Sequence, residues 1–222
     1  DLAGKFLDYW KLLAGDPASR TLKRAVAINT PDPAQPLPEN AIVPVFSPRP
    51  AGMLDWYAGA MAGASSSLML TSAFGVTATL AEVIGQDADH LKLILAEREE
   101  SDPDRRALLA RDRDTRIATG ARLNSETIRL GLPGESLDRW FRSEEHFRSK
   151  GHVFYIHTKL LALDLLGEMP QLFTGSANFS AGSVGSNDEN MILMRGPAFA
   201  AQAETHAVEF MRLWNHLYFR TV

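Results

Sequence analysis

Residues 153–164 read Val-Phe-Tyr-Ile-His-Thr-Lys-Leu-Leu-Ala-Leu-Asp, an apolar run interrupted by one histidine and one lysine. Its length and its β-prone residues predict a strand, or two short strands with the polar residues between them. Side chains alternate between the two faces of a strand, so we expect His157 and Lys159 on one face, about 7 Å apart. Asp164 then lies on the opposite face, where we expect it to support the strand or a neighbouring turn.

The paired imidazole and ammonium groups suit chemistry on a phosphodiester. An imidazole can act as a nucleophile, or as an acid and a base near neutral pH. A lysine offsets negative charge on the non-bridging oxygens. A histidine and a lysine on one strand face are also common on solvated surfaces, so the prediction depends on the segments that follow.

The next predicted strand ends in a turn of small and polar residues. Residues 171–174 read as the strand, and Gly175-Ser176-Ala177-Asn178 as the turn that leaves it. Small residues at a strand end let backbone N–H groups approach an anion. Ser176 and Asn178 add side-chain donors, so the turn is a candidate phosphate-binding element.

A carboxylate stands before another short apolar strand. Asn187-Asp188-Glu189-Asn190 precedes the apolar residues 191–194. A carboxylate in this position can hold an imidazole in one tautomer, which a nucleophilic or acid-base histidine requires. Carboxylates before strands are often merely exposed, so Glu189 is the least specific member of the pattern.

The combined pattern resembles the HKD motif of the phospholipase D superfamily. It consists of His157-x-Lys159 followed by Asp164, then Gly175-Ser176-x-Asn178, then Asn187-x-Glu189-Asn190. Several separated positions match, which makes the pattern more specific than a lone His-x-Lys. The interval between Asp164 and Gly175 is longer than is usual in the family, and we assign the extra residues to a hairpin at 167–170.

The resemblance implies a metal-independent, two-step phosphodiester reaction through a phosphohistidine, with no cofactor. His157 would be the nucleophile or its acid-base counterpart, and Glu189 would orient it. The substrate would be a phospholipid or a nucleic acid, since the motif contacts only the phosphate. The implied site residues are His157, Lys159 and Glu189 for catalysis, Lys159, Ser176 and Asn178 for phosphate binding, and Asp164 and Gly175 for structural support.

The rest of the chain predicts strands alternating with helices, which is typical of a sheet flanked by helices. The resemblance implies the same architecture, and we predict an α/β/α sandwich with a mixed central sheet, a phospholipase D-like lobe. The predicted strands lie near 42–46, 67–72, 91–95 and 115–118, and the predicted helices near 53–64, 77–84, 137–148 and 199–217.

The first forty residues suggest a domain boundary. Residues 1–14 have an amphipathic helical pattern, and residues 29–40 are rich in proline and polar residues, as linkers are. We predict that 1–14 is the closing helix of a preceding lobe, that 15–40 is a linker, and that 41–222 is a catalytic lobe with one HKD motif.

One HKD motif would make only half of a site, because the family builds one active site from two. The other half would come from an upstream lobe of the same protein, in which case the isolated chain can be inactive. Alternatively it would come from a second copy about a two-fold axis, giving a homodimeric HKD endonuclease. A function of another class is a non-catalytic scaffold or partner-binding lobe that retains the motif.

Composition limits these alternatives. The chain has 222 residues, 45% of them hydrophobic, enough for one substantial core. It has no cysteine, which excludes disulfides and thiolate metal sites. No apolar stretch is long enough for a membrane helix, and we predict a cytoplasmic protein. The net charge of −4 argues against a broad basic DNA-binding surface but permits a local basic cleft.

Overall fold

The computed structural model describes residues 1–29, 37–49, 52–120, 156–216 and 219–221. The predicted helix at 137–148 and the first residues of the predicted strand at 153–164 lie outside these ranges. The strands are β1 (Ala41–Ser47), β2 (Ser67–Ser72), β3 (Leu91–Ala96), β4 (Thr115–Gly120), β5 (Leu160–Leu163), β6 (Gln171–Gly175), β7 (Glu189–Arg195) and β8 (Phe219–Thr221). The helices are α1 (Leu2–Ala14), α2 (Ser19–Asn29), α3 (Met53–Ala62), α4 (Ala78–Ile84), α5 (Pro103–Leu109), α6 (Ala181–Gly185) and α7 (Ala200–Trp214), and a 3-10 turn at Pro197–Phe199 precedes α7.

The strands form one mixed sheet in the order β1-β7-β6-β5-β2-β3-β4-β8. Strands β2, β3 and β4 are parallel, because α4 and α5 carry the chain back between them. The other neighbouring strands are antiparallel. One end of the sheet, the site end, therefore combines the C-terminal ends of β1, β2, β3 and β6 with the N-terminal ends of β5 and β7.

Each face of the sheet packs against helices. Successive residues of β2 alternate between two cores: Leu68 and Leu70 belong to the core of α3 and α4, whereas Met69 belongs to the core of α7. Helix α7 buries Ala203, Ala207 and Phe210, which are three and four residues apart and share one helix face. This arrangement confirms the predicted α/β/α sandwich with a mixed central sheet.

The N-terminal helices pack on β1. The Tyr9 ring of α1 stacks on Phe46, with ring centroids 4.2 Å apart and planes inclined by 11°. Leu22 and Val26 of α2 are buried in the same cluster. Helix α2 lies inside the predicted linker and was not predicted, because the proline-rich residues beside it dominate the local composition. The assignment of 1–14 to a preceding lobe stays a prediction.

Of the two arrangements predicted for 153–164, the single continuous strand is wrong. In the described residues only Leu160–Leu163 form a strand, and residues 156–159 precede it without belonging to the sheet. His157 and Lys159 therefore do not lie on one face of a strand: His157 is exposed, whereas Lys159 is buried. In the described ranges, no helix is long and apolar enough to cross a bilayer.

Candidate active site

The predicted site residues come from three neighbouring segments at the site end. His157 and Lys159 precede β5, the Gly175–Asn178 turn follows β6, and Glu189 begins β7. Leu160 pairs with Thr174, and Gly175 pairs with Met191, so the three segments are adjacent across the sheet. Asp164 is at the opposite end of β5.

Side chains from β2 and from the end of β3 hold the backbone of residues 156–160. The buried Glu97 carboxylate accepts a hydrogen bond from the Ile156 N–H at 2.7 Å. The buried Thr71 hydroxyl donates to the Thr158 carbonyl at 2.7 Å and accepts from the Leu160 N–H at 2.9 Å. Because these backbone groups bind side chains, the segment departs from strand geometry just before β5. The His157 side chain is left exposed.

Lys159 is buried beside His157. Its Nζ donates a hydrogen bond to the His157 carbonyl at 2.6 Å. Burial disfavours the charged ammonium and lowers the pKa of Lys159, whereas the nearby charge of Glu189 acts in the opposite direction. An anionic ligand at this position would add further support for the charge.

The Gly175–Asn178 turn is fastened to β7. A side chain at Gly175 would overlap the backbone of Asn190 and Met191, so the close approach of the two strands requires glycine. The Ser176 N–H donates to the Asn190 carbonyl at 2.8 Å, and the Ser176 hydroxyl accepts from the Asn190 N–H at 3.0 Å. Ser176 therefore supports the turn through its contacts with β7.

Asn178 lies between two buried residues of the chain. Ala177 and Phe179 are buried in the core of α3 and α4, whereas the Asn178 side chain is half-buried. The Asn178 carbonyl accepts from the Ser180 N–H at 2.8 Å, and Ser180 caps α6. The position of Asn178 is thus fixed by the packing of its two neighbours in the chain.

Asp164 organises the far end of the sheet. Its carboxylate accepts hydrogen bonds from the N–H groups of Ser65, Ser66 and Ser67 and from the hydroxyls of Ser65 and Ser66. Burial alone would raise the pKa of Asp164, but the hydrogen bonds from the serines outweigh it and lower the pKa. Asp164 thus holds the turn that enters β2, at the end of β5 opposite to His157.

Glu189 is held at the first position of β7. It pairs with Ser47 of β1, and its half-buried side chain accepts a hydrogen bond from the Asn187 carboxamide at 3.3 Å. Its influence on the pKa of Lys159 shows that the two charges interact. In the described part of the chain, no three His, Asp or Glu side chains are grouped as a metal ion would require.

Three residues around the site were not predicted from the sequence: Thr71, Glu97 and Tyr9. Thr71 and Glu97 are polar residues at the ends of apolar strands, and both strands end at the same side of a parallel pair, which is the signal that was available. Tyr9 looked like an ordinary member of an amphipathic helix. Its hydroxyl, however, donates to the Ser47 carbonyl at 2.6 Å and lies 3.3 Å from the Glu189 carbonyl.

No protein-family model and no curated protein sequence matches this chain. Its structure is similar to that of Nuc from Salmonella typhimurium, a phospholipase D family member, with a TM-score of 0.52 and 16% identity over 83% of this chain and 99% of that chain. The chain has a phospholipase D-like fold. NucT from Helicobacter pylori matches with a TM-score of 0.47 and 13% identity over 78% of this chain and 97% of that one. TrmBL2, an archaeal chromatin protein, matches with a TM-score of 0.45 and 12% identity over 99% of this chain and 70% of that one.

The phospholipase D-like fold contains a second His-x-Lys, at His90 and Lys92. It lies at the start of β3, at the end of the sheet away from His157. The buried Lys92 ammonium forms an ion pair with Asp112 at 2.8 Å and donates to the carbonyls of Ile84 at 2.9 Å and Gln86 at 2.5 Å. Burial alone would raise the pKa of Asp112, but its bond with Lys92 and other hydrogen bonds lower it. The lysine of this second His-x-Lys is therefore satisfied by the fold itself.

Proposed function

We propose that the chain supplies one half-site of a metal-independent phosphodiesterase that acts through a phosphohistidine. The observation that carries the proposal is the meeting, at one end of a phospholipase D-like sheet, of an exposed His157, a buried Lys159 and the turn that presents Asn178. A nucleophile or proton carrier and a cation then lie beside a polar turn on three adjacent segments, as attack on a phosphodiester requires.

The proposed reaction has two steps. In the first, an imidazole nitrogen of one histidine attacks phosphorus and forms a P–N bond. The bond from phosphorus to the leaving oxygen breaks, and the histidine of the other half-site gives that oxygen a proton. In the second step water attacks phosphorus, the P–N bond breaks, and the second histidine takes the proton from water. His157 can be either histidine of the pair.

The other residues stabilise charge and orientation in this proposal. The Lys159 ammonium and the Asn178 carboxamide bind the non-bridging oxygens, whose negative charge grows as the attacking bond forms. Ser176 holds the turn against β7. Glu189 orients the imidazole and keeps a negative charge near Lys159. Glu97 and Thr71 hold the backbone on either side of His157.

The second half-site comes from an upstream lobe or from a second copy of this chain. The structural similarity covers 99% of the crystallised Nuc chain. That chain therefore consists of one lobe of this size. That observation supports the second copy as a candidate, and a homodimeric HKD endonuclease is the corresponding activity. Sedimentation analysis of the purified chain, together with turnover as a function of protein concentration, separates the two arrangements.

The central test uses an aryl phosphodiester, bis(p-nitrophenyl) phosphate, with and without EDTA. It is run on this chain and on the same chain joined to any natural sequence that precedes it. We expect turnover that resists EDTA, that disappears in His157→Ala and that persists in His206→Ala, since His206 is a half-buried histidine on α7, outside the proposed site, whose ring contacts the Gln202 carbonyl. A phosphohistidine trapped by alkaline quenching would be located at His157 or at its partner by mass spectrometry. Absence of turnover in both forms would favour the scaffold function.

The substrate is identified by a second comparison. Release of headgroup from phosphatidylcholine vesicles is measured beside cleavage of a single-stranded DNA oligonucleotide. Each activity is checked with His157→Ala, because contaminating nucleases are common and do not depend on His157. Cleavage of only one of the two compounds identifies the substrate class as phospholipid or as nucleic acid.

A further inference from the structure

Tyr9 connects helix α1 to the site end of the sheet. Its side chain is buried, and its ring stacks on Phe46 of β1. Its hydroxyl donates to the Ser47 carbonyl at 2.6 Å, with the Glu189 carbonyl as a second, longer acceptor at 3.3 Å. A residue of the N-terminal helix thus binds the backbone of a proposed site residue 180 positions further along the chain.

The contact falls on the last pair of the β1–β7 ladder. Ser47 and Glu189 are directly opposite each other in that pair, and the Glu189 side chain projects from it. Strand ends fray more easily than strand centres, because they have fewer neighbouring hydrogen bonds. The Ser47 hydroxyl also donates to the Ser183 carbonyl of α6 at 2.9 Å. Tyr9 and Ser183 therefore fix this end of the ladder from two sides.

We propose that Tyr9 is a positioning residue of the phosphodiester site, which holds the backbone of Glu189 and thereby the direction of its carboxylate. The inference rests on the proposed function and extends the site to α1, a helix that the HKD-like pattern does not include. It also means that whatever displaces α1 from β1 disturbs Glu189 directly.

The charges around Tyr9 agree with a donor role. Burial first, and then the charges of Asp188 and Glu189, raise the pKa of Tyr9 well above its usual value. The hydroxyl therefore remains protonated and able to donate at every pH at which the enzyme would work. Among the described residues, Tyr9 shares its buried cluster with apolar side chains: Leu22 and Val26 from α2, and Phe46 from β1.

Glu189 links Tyr9 to Lys159. Burial lowers the pKa of Lys159, and the charge of Glu189 raises it. A displaced Glu189 carboxylate supports the ammonium less, so the pKa of Lys159 falls. Activity that needs the protonated lysine is then lost at a lower pH. The alkaline limb of the pH–rate profile consequently reports the position of Glu189.

The test is Tyr9→Phe, which keeps the stacked ring and removes only the hydroxyl. We expect kcat for bis(p-nitrophenyl) phosphate to fall about 2- to 10-fold, the effect of one hydrogen bond. We expect KM to change less than about twofold, and the alkaline limb to move to lower pH. The matched control is Phe6→Leu on the same helix, because Phe6 packs on Phe46 at 5.0 Å through its ring alone.

The control separates positioning from general stability. Phe6→Leu should lower Tm while leaving kcat and the alkaline limb unchanged. Hydrogen exchange at the start of β7, measured by mass spectrometry, should speed up in Tyr9→Phe and not in Phe6→Leu. An active wild type whose Tyr9→Phe variant keeps kcat, the alkaline limb and the exchange rate would overturn the inference alone. Absence of turnover both in this chain and in the chain joined to its preceding natural sequence would overturn the proposed function and the inference together.

Discussion

Lys159 and Lys92 occupy the same place in the same tripeptide pattern, His-x-Lys, and both are buried. Their surroundings differ. Lys92 has a carboxylate at 2.8 Å and two carbonyls as partners, at the start of β3. Within the described ranges, Lys159 donates only to the His157 carbonyl, and Glu189 supports its charge from nearby.

The difference separates a structural lysine from a candidate functional one. A buried cation with a carboxylate and carbonyls around it is satisfied by the fold, and no ligand is needed to explain it. A buried cation at a strand end, beside a polar turn and an exposed histidine, is a candidate for pairing with an anionic ligand. The tripeptide is the same in both cases, so the neighbours decide the role.

The sharpest test of the comparison is Lys92→Met. It leaves the Asp112 carboxylate buried without its cation, which costs about 3–5 kcal/mol of unfolding free energy. Replacing both partners, in Lys92→Met/Asp112→Leu, should recover most of that loss. Urea denaturation measures both variants. A loss below about 1 kcal/mol in the single variant would mean that Lys92 is not the structural lysine described above.

The reciprocal test is Lys159→Met. We expect kcat/KM to fall about 100- to 1000-fold, or about 2.7–4 kcal/mol of transition-state stabilisation, because one preorganised donor is lost. The unfolding free energy should stay the same or rise, since a buried charge is removed. If Lys159→Met were instead as destabilising as Lys92→Met and the folded fraction kept full activity, the two lysines would not differ in role.

At the far end of the sheet, the contribution of Asp164 to the free energy of unfolding should depend on pH. The pKa of Asp164 is lower in the folded chain than in the unfolded one. Its contribution to stability is therefore present above the unfolded pKa and is lost as pH falls through the folded pKa. We expect Asp164→Asn to cost about 2 kcal/mol at neutral pH and progressively less in acid. A cost that is independent of pH would show that the carboxylate charge is not what binds the serines.

The smallest effect is expected at Glu97, which holds the segment before His157. Glu97→Gln keeps an acceptor for the Ile156 N–H, whereas Glu97→Ala removes it. The alanine variant should lose about 1–2 kcal/mol of stability and several-fold in kcat, and the glutamine variant less of both. Urea denaturation and steady-state kinetics provide the comparison. Equal losses in the two variants would assign the role of Glu97 to its charge rather than to this hydrogen bond.

Most of the sheet was predictable because its strands have local signals. The runs that became β1, β2, β3 and β7 are apolar, rich in branched residues and bounded by turns. Of the two arrangements predicted around His157, the single long strand is wrong, because backbone groups of residues 156–158 bind Thr71 and Glu97 instead of a neighbouring strand. Helix α2 was not predicted, because the proline-rich residues 29–40 dominate the composition of this part of the chain.

The amino-acid sequence by itself determined the alternation of strands and helices and the set of residues with phosphate chemistry, since periodicity and residue type are local properties. Only the tertiary structure decided which His-x-Lys lies at the site end and which has its lysine in an ion pair with Asp112. It also decided that Glu97, 59 positions from Ile156, and Tyr9, 180 positions from Glu189, hold the proposed site. The reason is physical: the position of a strand end is set by pairing with strands that are distant in the chain, and such pairing leaves no short-range signal.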